Sequence, residues 1–190
     1  MPFQRKSAKI KAPLNEAGLY DYAVKALGRQ MRTTANLRRL MQQRAEPGEQ
    51  GESIIDTVLK RLIGNGYLND AVYAETYTRL RKENEKFGQR RVQQDLRNKG
   101  VPTSLIASTL DSAYAETDEE ILARQHLERK RIRKPANEKE TARVMRRLVA
   151  AGFSNGVIYK ILRQWAVPDE SLAALDNLSS DDAGENSSEE

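Results

Sequence analysis

One short pattern, a helical run that ends in Leu-x-x-x-Gly and is followed by an apolar residue, occurs three times in the chain and constrains its fold more than any other feature. The copies span residues 62–67, 96–101 and 148–153, and each is followed by apolar residues at helical spacing. Glycine readily adopts the left-handed conformation that ends many helices. Each copy therefore predicts a helix, a turn plugged by the apolar residue, and a second amphipathic helix. One such pair cannot bury its own apolar face, so neighbouring units must cover it, as in repeat proteins.

The apolar residues elsewhere also follow a helical period. One predicted helix contains six of them, namely Ile54, Ile55, Val58, Leu59, Leu62 and Ile63; counted from Ile55, the last five lie at i, i+3, i+4, i+7 and i+8. No segment alternates apolar and polar residues over a sustained run, so no β-sheet is predicted. The hydrophobic fraction of 38% is low for a globular chain and favours an extended modular body. We predict an all-α fold of about nine helices in three tandem three-helix repeats, elongated and curved.

The start and stop signals set the predicted domain boundaries. The three repeats comprise residues 14–64, 65–115 and 116–168, with a flexible basic arm at 1–13 and a disordered acidic tail at 169–190. Breaks are predicted at 46–52 and 134–138, which are rich in turn-forming residues. The predicted helix N-caps are Thr34, Ser53, Asn69, Thr103, Thr117 and Ser154. Thr117 and Glu120 have the spacing of a capping box.

The sequence contains few of the residues on which enzyme active sites depend. It has no cysteine, which excludes disulfides and cysteine-based zinc sites, and its one histidine, His126, is interpreted as structural. The acidic residues at 118–120 resemble a metal site only weakly, because acids are favoured at a helix start in any case. A metal-dependent nuclease built on them stays as a minor alternative. Otherwise we expect no enzyme activity, no cofactor and no metal. With no apolar run long enough to span a bilayer, we expect a cytosolic monomer without membrane contact.

Charge is distributed unevenly along the chain. The eight acidic residues of 169–190, where there is no Lys or Arg, leave 32 basic and 19 acidic residues in 1–168, a formal charge of +13. A basic body indicates a polyanion or an acidic protein surface as the partner.

Basic residues recur on corresponding predicted helices and could form one stripe along the repeats. The candidate binding residues are Arg38, Arg39, Arg90, Arg91, Arg97, Lys99, Lys139, Arg143, Arg146 and Arg147. Such a stripe could neutralise DNA phosphates or pair with carboxylates of a protein. Base-specific reading is not expected, because the predicted helix at 102–110 carries no Arg, Lys, Asn or Gln.

Three motifs, in order and at matching intervals, resemble the RecX family of bacterial recombination regulators. The first is Gly66-Tyr67-Leu68-Asn69-Asp70, followed by Tyr73-Ala74, Tyr77 and Arg81. The second is Gly88-Gln89-Arg90-Arg91-Val92, followed by Leu96 and Lys99-Gly100-Val101. The third is Arg146-Arg147-Leu148, followed by Gly152-Phe153-Ser154, Ile158 and Leu162. A weaker match lies at 33–40, where Asn36 replaces the family's usual acid. The resemblance covers about residues 18–166.

The resemblance implies three tandem three-helix repeats, in agreement with the periodicity. It also implies a negative regulator that binds RecA protein and the RecA–DNA filament and lowers its recombinase and ATPase activities, without catalytic residues of its own. A general DNA-binding module that acts by competing for DNA is the alternative. Neither the basic arm nor the acidic tail falls within the resemblance.

Overall fold

The structure is a computed structural model and describes residues 12–167. Within that range it contains nine α-helices and no β-strand, so the all-α prediction is confirmed. The helices are α1 Glu16–Leu27, α2 Thr34–Gln42, α3 Glu49–Gly64, α4 Asp70–Leu80, α5 Gln89–Asn98, α6 Thr103–Tyr114, α7 Glu119–Arg129, α8 Glu138–Ala150 and α9 Asn155–Gln164, with a π-helical turn at Arg81–Glu85. Most of the predicted basic arm and the whole acidic tail lie outside the described residues.

The helices group into two compact units. The first comprises the described part of Met1–Ala74 together with Arg97–Leu105, and the second comprises Glu75–Leu96 together with the described part of Ile106–Glu190. The division into three repeats at 14–64, 65–115 and 116–168 stays a prediction.

The core of the first unit lies between α1, α2 and α3. The largest fully buried side chains there are Leu19, Leu37, Met41, Ile55 and Leu62. Burying a side chain of this size stabilises the fold by about 1.5–3 kcal/mol. The spacing of these residues follows the helical period, which is why three short helices with many charged residues can share one apolar centre.

Polar contacts near the start of α2 complete the first unit. The Asp70 carboxylate accepts a hydrogen bond from the Thr34 amide at 2.8 Å and another from its hydroxyl at 3.2 Å. The Thr33 hydroxyl donates to the Lys99 carbonyl at 2.6 Å and accepts from the Asn36 amide at 3.1 Å. The N-cap of α2 is therefore Thr33. The prediction of Thr34 was wrong by one residue, because the Thr34 hydroxyl is bound to Asp70.

The core of the second unit lies between α7, α8 and α9, with Phe87 and Tyr114 packed against it. Its fully buried large residues include Leu148, Phe153, Ile158, Ile161 and Leu162. Trp165, which follows α9, is partly buried against the same cluster. The Tyr114 hydroxyl donates to the Phe87 carbonyl at 2.9 Å and fixes the segment before α5.

The three repeated glycines adopt the predicted conformation. Their φ angles are +74° at Gly66, +76° at Gly100 and +90° at Gly152, in the left-handed region. The residue after the glycine is buried at Val101 and Phe153. In the first copy the predicted plug is wrong. Tyr67 is 54% exposed, and the next residue, Leu68, is buried instead.

Local predictions at two other places in the chain were wrong. Helix α3 begins at Glu49, so Ser53 lies inside it and the predicted loop at 46–52 is cut short. The cap of α7 is Asp118, not Thr117, since the Asp118 carboxylate accepts from the Glu120 amide at 2.8 Å and the Ile121 amide at 3.1 Å. Glu120 therefore forms no capping box with Thr117. Asn69 does cap α4, accepting from the amides of Ala71 and Val72.

Candidate basic binding surfaces

Helix α8 carries an apolar face and a basic face. Its buried residues are Thr141, Val144, Met145 and Leu148, and its exposed basic residues are Lys139, Arg143, Arg146 and Arg147. The helix begins where the predicted break at 134–138 ends, because the Asn137 side chain accepts from the Glu140 amide at 3.0 Å. The buried face fixes the helix on the core, so the four cations project outward at fixed spacing. None of them forms an ion pair with another residue of 12–167.

Two glycines allow the start of α5 to touch the end of α8. The Gly88 amide donates to the Ala151 carbonyl at 2.9 Å. A Cβ on Gly88 would lie 2.6 Å from the Gly152 carbonyl carbon, and a Cβ on Gly152 would lie 2.6 Å from the Arg91 Cβ. Real side chains do not tolerate such distances, so the backbones can approach this closely only because both residues are glycine. The contact places Arg91 of α5 beside the C-terminal end of α8.

Arg91 and Arg147 line one cleft of about 500 Å³ in the second unit. The cleft is lined by Phe87, Arg91, His126, Lys130, Ile132, Arg147, Ala150 and Ala151. The Arg91 guanidinium lies 5.7 Å from the centre of the Phe87 ring and 3.2 Å from the Asp95 carboxylate. Apolar groups and cations thus line the same concave surface, which suits a ligand with both carboxylates and apolar side chains.

His126 forms part of the buried wall of this cleft. It is 4% exposed and lies between the rings of Phe87 and Phe153, with centroid distances of 5.9 and 5.8 Å. Its Nδ1 lies 2.8 Å from the Glu85 carbonyl, which favours a proton on that nitrogen. Burial lowers the pKa of His126, so the imidazole is neutral near pH 7. The Glu85 carboxylate also pairs with Lys130 at 2.8 Å.

Among the candidate binding residues in the first unit, Arg38 already forms ion pairs with acidic residues of that unit. It pairs with Glu52 at 3.0 Å and also contacts Asp56, which raises the pKa of its guanidinium. Arg39, on the same helix, is exposed, and so is Arg97 at the end of α5. Lys99 is half-buried.

In the second unit, Arg90 is exposed at the start of α5 and lines a different cleft from Arg91. The structure thus brings Arg91 and Arg147 together and places Lys139, Arg143 and Arg146 on one helix with Arg147. It leaves Arg90 apart from the cleft that these two arginines share.

The acidic residues at 118–120 have structural partners. Asp118 caps α7, and the Glu119 carboxylate accepts from the Ser154 amide at 2.7 Å and from its hydroxyl at 2.6 Å, at the start of α9. Glu120 pairs with Lys160 at 2.6 Å and Arg124 at 2.9 Å, which lower its pKa to about 2. Among residues 12–167 no group of three or more His, Asp or Glu side chains is placed to hold a metal ion.

Sequence reasoning did not place Lys130, His126 and Phe87 around Arg91. His126 and Lys130 lie at the C-terminal end of α7 and Phe87 lies before α5. Only Gly88, a glycine at a helix start that no turn requires, signalled a close backbone approach there. In the described part of the chain, no helix is long and apolar enough to cross a membrane.

Comparison with known proteins places this fold in a family. The family model described as RecX, second three-helix domain, matches residues 69–110. That range lies within the predicted second repeat, 65–115. A solved structure described as the crystal structure of regulatory protein RecX has a TM-score of 0.63 and 26% identity, covering 78% of this chain and 71% of that one. RecX from Lactobacillus salivarius has a TM-score of 0.58 at 21% identity, a likeness in fold.

Relatives known by sequence extend the match over most of the chain. Regulatory protein RecX of Trichlorobacter lovleyi is 33% identical over 135 residues, covering 70% of this chain and 85% of the relative. That of Leptothrix cholodnii is 33% identical over 149 residues, covering 78% and 89%. Since this identity runs through nearly the whole length of both relatives and the solved structure shares the helical fold, the chain belongs to the RecX family of regulatory proteins.

Proposed function

We propose that the protein is a negative regulator of RecA that binds the RecA–DNA filament and lowers its recombinase and ATPase activities. The observation that carries the proposal is the exposed basic face of α8, in a chain that belongs to a family of regulatory proteins. Arg143, Arg146 and Arg147 lie on that face without an ion-pair partner among residues 12–167.

Arginine suits either component of a nucleoprotein filament. Its planar guanidinium donates two parallel hydrogen bonds to a carboxylate or a phosphate. Arg143 and Arg147 are one helical turn apart, so α8 can contact two acidic groups at neighbouring positions. A rigid helix that presents several such donors loses little conformational entropy on binding, which favours a repeating acidic surface over an isolated charge.

Regulation by binding requires no chemistry in the regulator itself. A ligand shifts a filament toward the state that it binds more tightly, and only by the difference between its affinities for the two states. The proposed protein would therefore slow extension or favour disassembly by preferring one filament state. The structural use of Asp118, Glu119 and Glu120 supports an action without catalysis.

The test is to titrate the protein into a RecA ATPase assay on single-stranded DNA at fixed salt, with and without excess DNA. We expect inhibition well below one copy per RecA, and excess DNA should leave it unchanged. Inhibition that disappears when DNA is added would instead mean competition for DNA, the alternative function. That alternative also predicts binding to DNA alone that weakens steeply with salt.

A charge reversal on α8 tests the surface. Arg143→Glu with Arg146→Glu should weaken inhibition at least tenfold while the far-ultraviolet circular dichroism stays unchanged, because both side chains are exposed. The matched control is Lys25→Glu with Lys60→Glu, two exposed cations in the first unit and outside the candidate set. Equal inhibition by both double variants would show that α8 is not part of the interface.

A further inference from the structure

The cleft lined by Arg91 and Arg147 has two chemical components that a ligand must match. Phe87, Ile132 and Ala150 provide apolar surface, and Arg91, Lys130 and Arg147 provide positive charge. Lys130 already pairs with Glu85 at 2.8 Å, and Arg91 with Asp95 at 3.2 Å, whereas Arg147 has no ion-pair partner among residues 12–167. A bare phosphate would leave the apolar surface uncovered. A peptide with both carboxylates and leucines would satisfy both parts.

We propose that this cleft binds the acidic C-terminal segment of the same chain, through residues 169–178. That stretch contains three leucines at intervals of three residues and three acidic residues, namely Leu172, Leu175, Leu178, Asp169, Glu170 and Asp176. It contains no Lys or Arg, and neither does the remainder of 169–190. Its composition therefore complements the cleft in both charge and apolar content.

The described chain ends near the cleft. Val167 packs against the core of the second unit, as does Ile132. Val167 also lines a second cleft together with Lys134. Ile132, only two residues before Lys134, lines the cleft of Arg91 and Arg147. From Val167 to Leu175 the chain can extend roughly 26–29 Å, which allows the leucines to reach from one cleft to the next.

Because the C-terminal segment belongs to the same chain as the cleft, even a weak contact would keep it bound there. A segment joined to its site by a short linker is present at an effective concentration on the order of millimolar. An interaction too weak to detect between separate molecules would thus keep the cleft occupied. Occupation would cover Arg91 and Arg147, so the segment and any external acidic partner that uses these two arginines would exclude each other.

The experiment uses the full-length protein and a spin label. The chain has no cysteine, so Ser179→Cys provides a single attachment site for a nitroxide, directly after the proposed binding stretch. In low salt we expect the label to broaden the amide resonances of Phe87, Ile132 and Ala150. The broadening should disappear in Arg91→Glu with Arg147→Glu, and it should decrease in high salt, where exposed charges are screened.

Two further variants separate docking from damage to the fold. Arg146→Glu reverses one charge next to Arg147 but lies outside the cleft, so the broadening should persist. Leu172→Ala with Leu175→Ala removes the proposed apolar anchors, and it should abolish the broadening while the other amide resonances stay in place.

Three results would overturn the proposal. One is the absence of broadening at the cleft in low salt. Another is broadening that appears only between molecules, when spin-labelled protein without isotope is mixed with isotope-labelled protein that carries no spin label. The third is broadening that survives the leucine double variant unchanged. None of these measurements involves RecA, so their outcome is independent of the proposed function.

Discussion

Replacing Gly152 with alanine should destabilise the second unit by more than a turn glycine usually costs. The residue has φ +90°, and a left-handed conformation costs a non-glycine residue about 1–2 kcal/mol. The added Cβ would lie 2.6 Å from the Arg91 Cβ and would overlap the Arg91 backbone nitrogen. Overpacking of this kind costs about 1–3 kcal/mol. The two effects together predict a loss of about 2–5 kcal/mol in the free energy of unfolding.

Two other glycines provide controls for this prediction. Gly156 lies in α9 of the same unit, with nothing within 4 Å of an added Cβ, so Gly156→Ala should stabilise the unit by about 0.5–1 kcal/mol. Gly66 has φ +74° but open space around it, so Gly66→Ala should cost only the conformational part, about 1–2 kcal/mol. The difference between Gly152→Ala and Gly66→Ala therefore measures the contact between α5 and α8.

Urea unfolding measures these changes. Trp165 is the only tryptophan and is partly buried against the core of the second unit, so its fluorescence reports on the unit that contains Gly152 and Gly156. Circular dichroism follows Gly66→Ala in the first unit. Linear extrapolation to zero urea gives the free energies. If Gly152→Ala stays within about 0.5 kcal/mol of the unaltered protein, below the typical cost of overpacking, the close backbone contact at Arg91 is absent and the reasoning fails.

Two further predictions concern single side chains of the second unit. Glu119→Gln should lower the free energy of unfolding by about 1–2 kcal/mol, because the charged hydrogen bonds to Ser154 at the start of α9 are weakened. The control is Glu116→Gln, at an exposed position. An equal urea midpoint for both variants would contradict the capping role of Glu119. Burial lowers the pKa of His126 in the folded protein, so the unfolded chain takes up a proton on this residue at a higher pH than the folded one does. The contribution of neutral His126 to the free energy of unfolding is therefore complete above about pH 6.5 and is lost as the pH falls through the folded pKa. Urea midpoints should thus decrease between pH 6.5 and pH 5.5 in the unaltered protein and less in His126→Gln, and parallel pH profiles would exclude this origin.

Local features of the fold were predictable from the sequence, whereas features that depend on distant contacts were not. The turn at Gly152 could be predicted because its φ angle depends on the residue type and its immediate neighbours. The cap of α2 could not be placed to the residue, since Thr33 and Thr34 are equally good caps and the choice depends on Asp70, 36 residues away from Thr34. Likewise Tyr67 fits the sequence pattern of a buried plug, but the core takes Leu68.

The candidate site likewise has one part that could be predicted from the sequence and one part that could not. The outward projection of Arg143 and Arg146 follows from the helical period of α8 and was predictable. The cleft was not, because it requires Arg91, Lys130 and Arg147 to converge from three segments. That convergence depends on a backbone contact between two glycines 64 residues apart, Gly88 and Gly152, and no periodicity within one helix contains this information.

The partners of the acidic residues explain why the exposed face of α8 remains basic in a chain with a formal charge of only +5. Asp70, Asp118 and Glu119 each accept hydrogen bonds from amides at or directly before the start of a helix, where the macrodipole favours negative charge. Glu120 is bound by Lys160 and Arg124. These carboxylates are therefore committed to helix ends and local pairs, so they do not neutralise the arginines of α8. Removing an acid from a cap should thus change stability more than it changes affinity for an acidic partner, and removing an arginine from α8 should do the reverse.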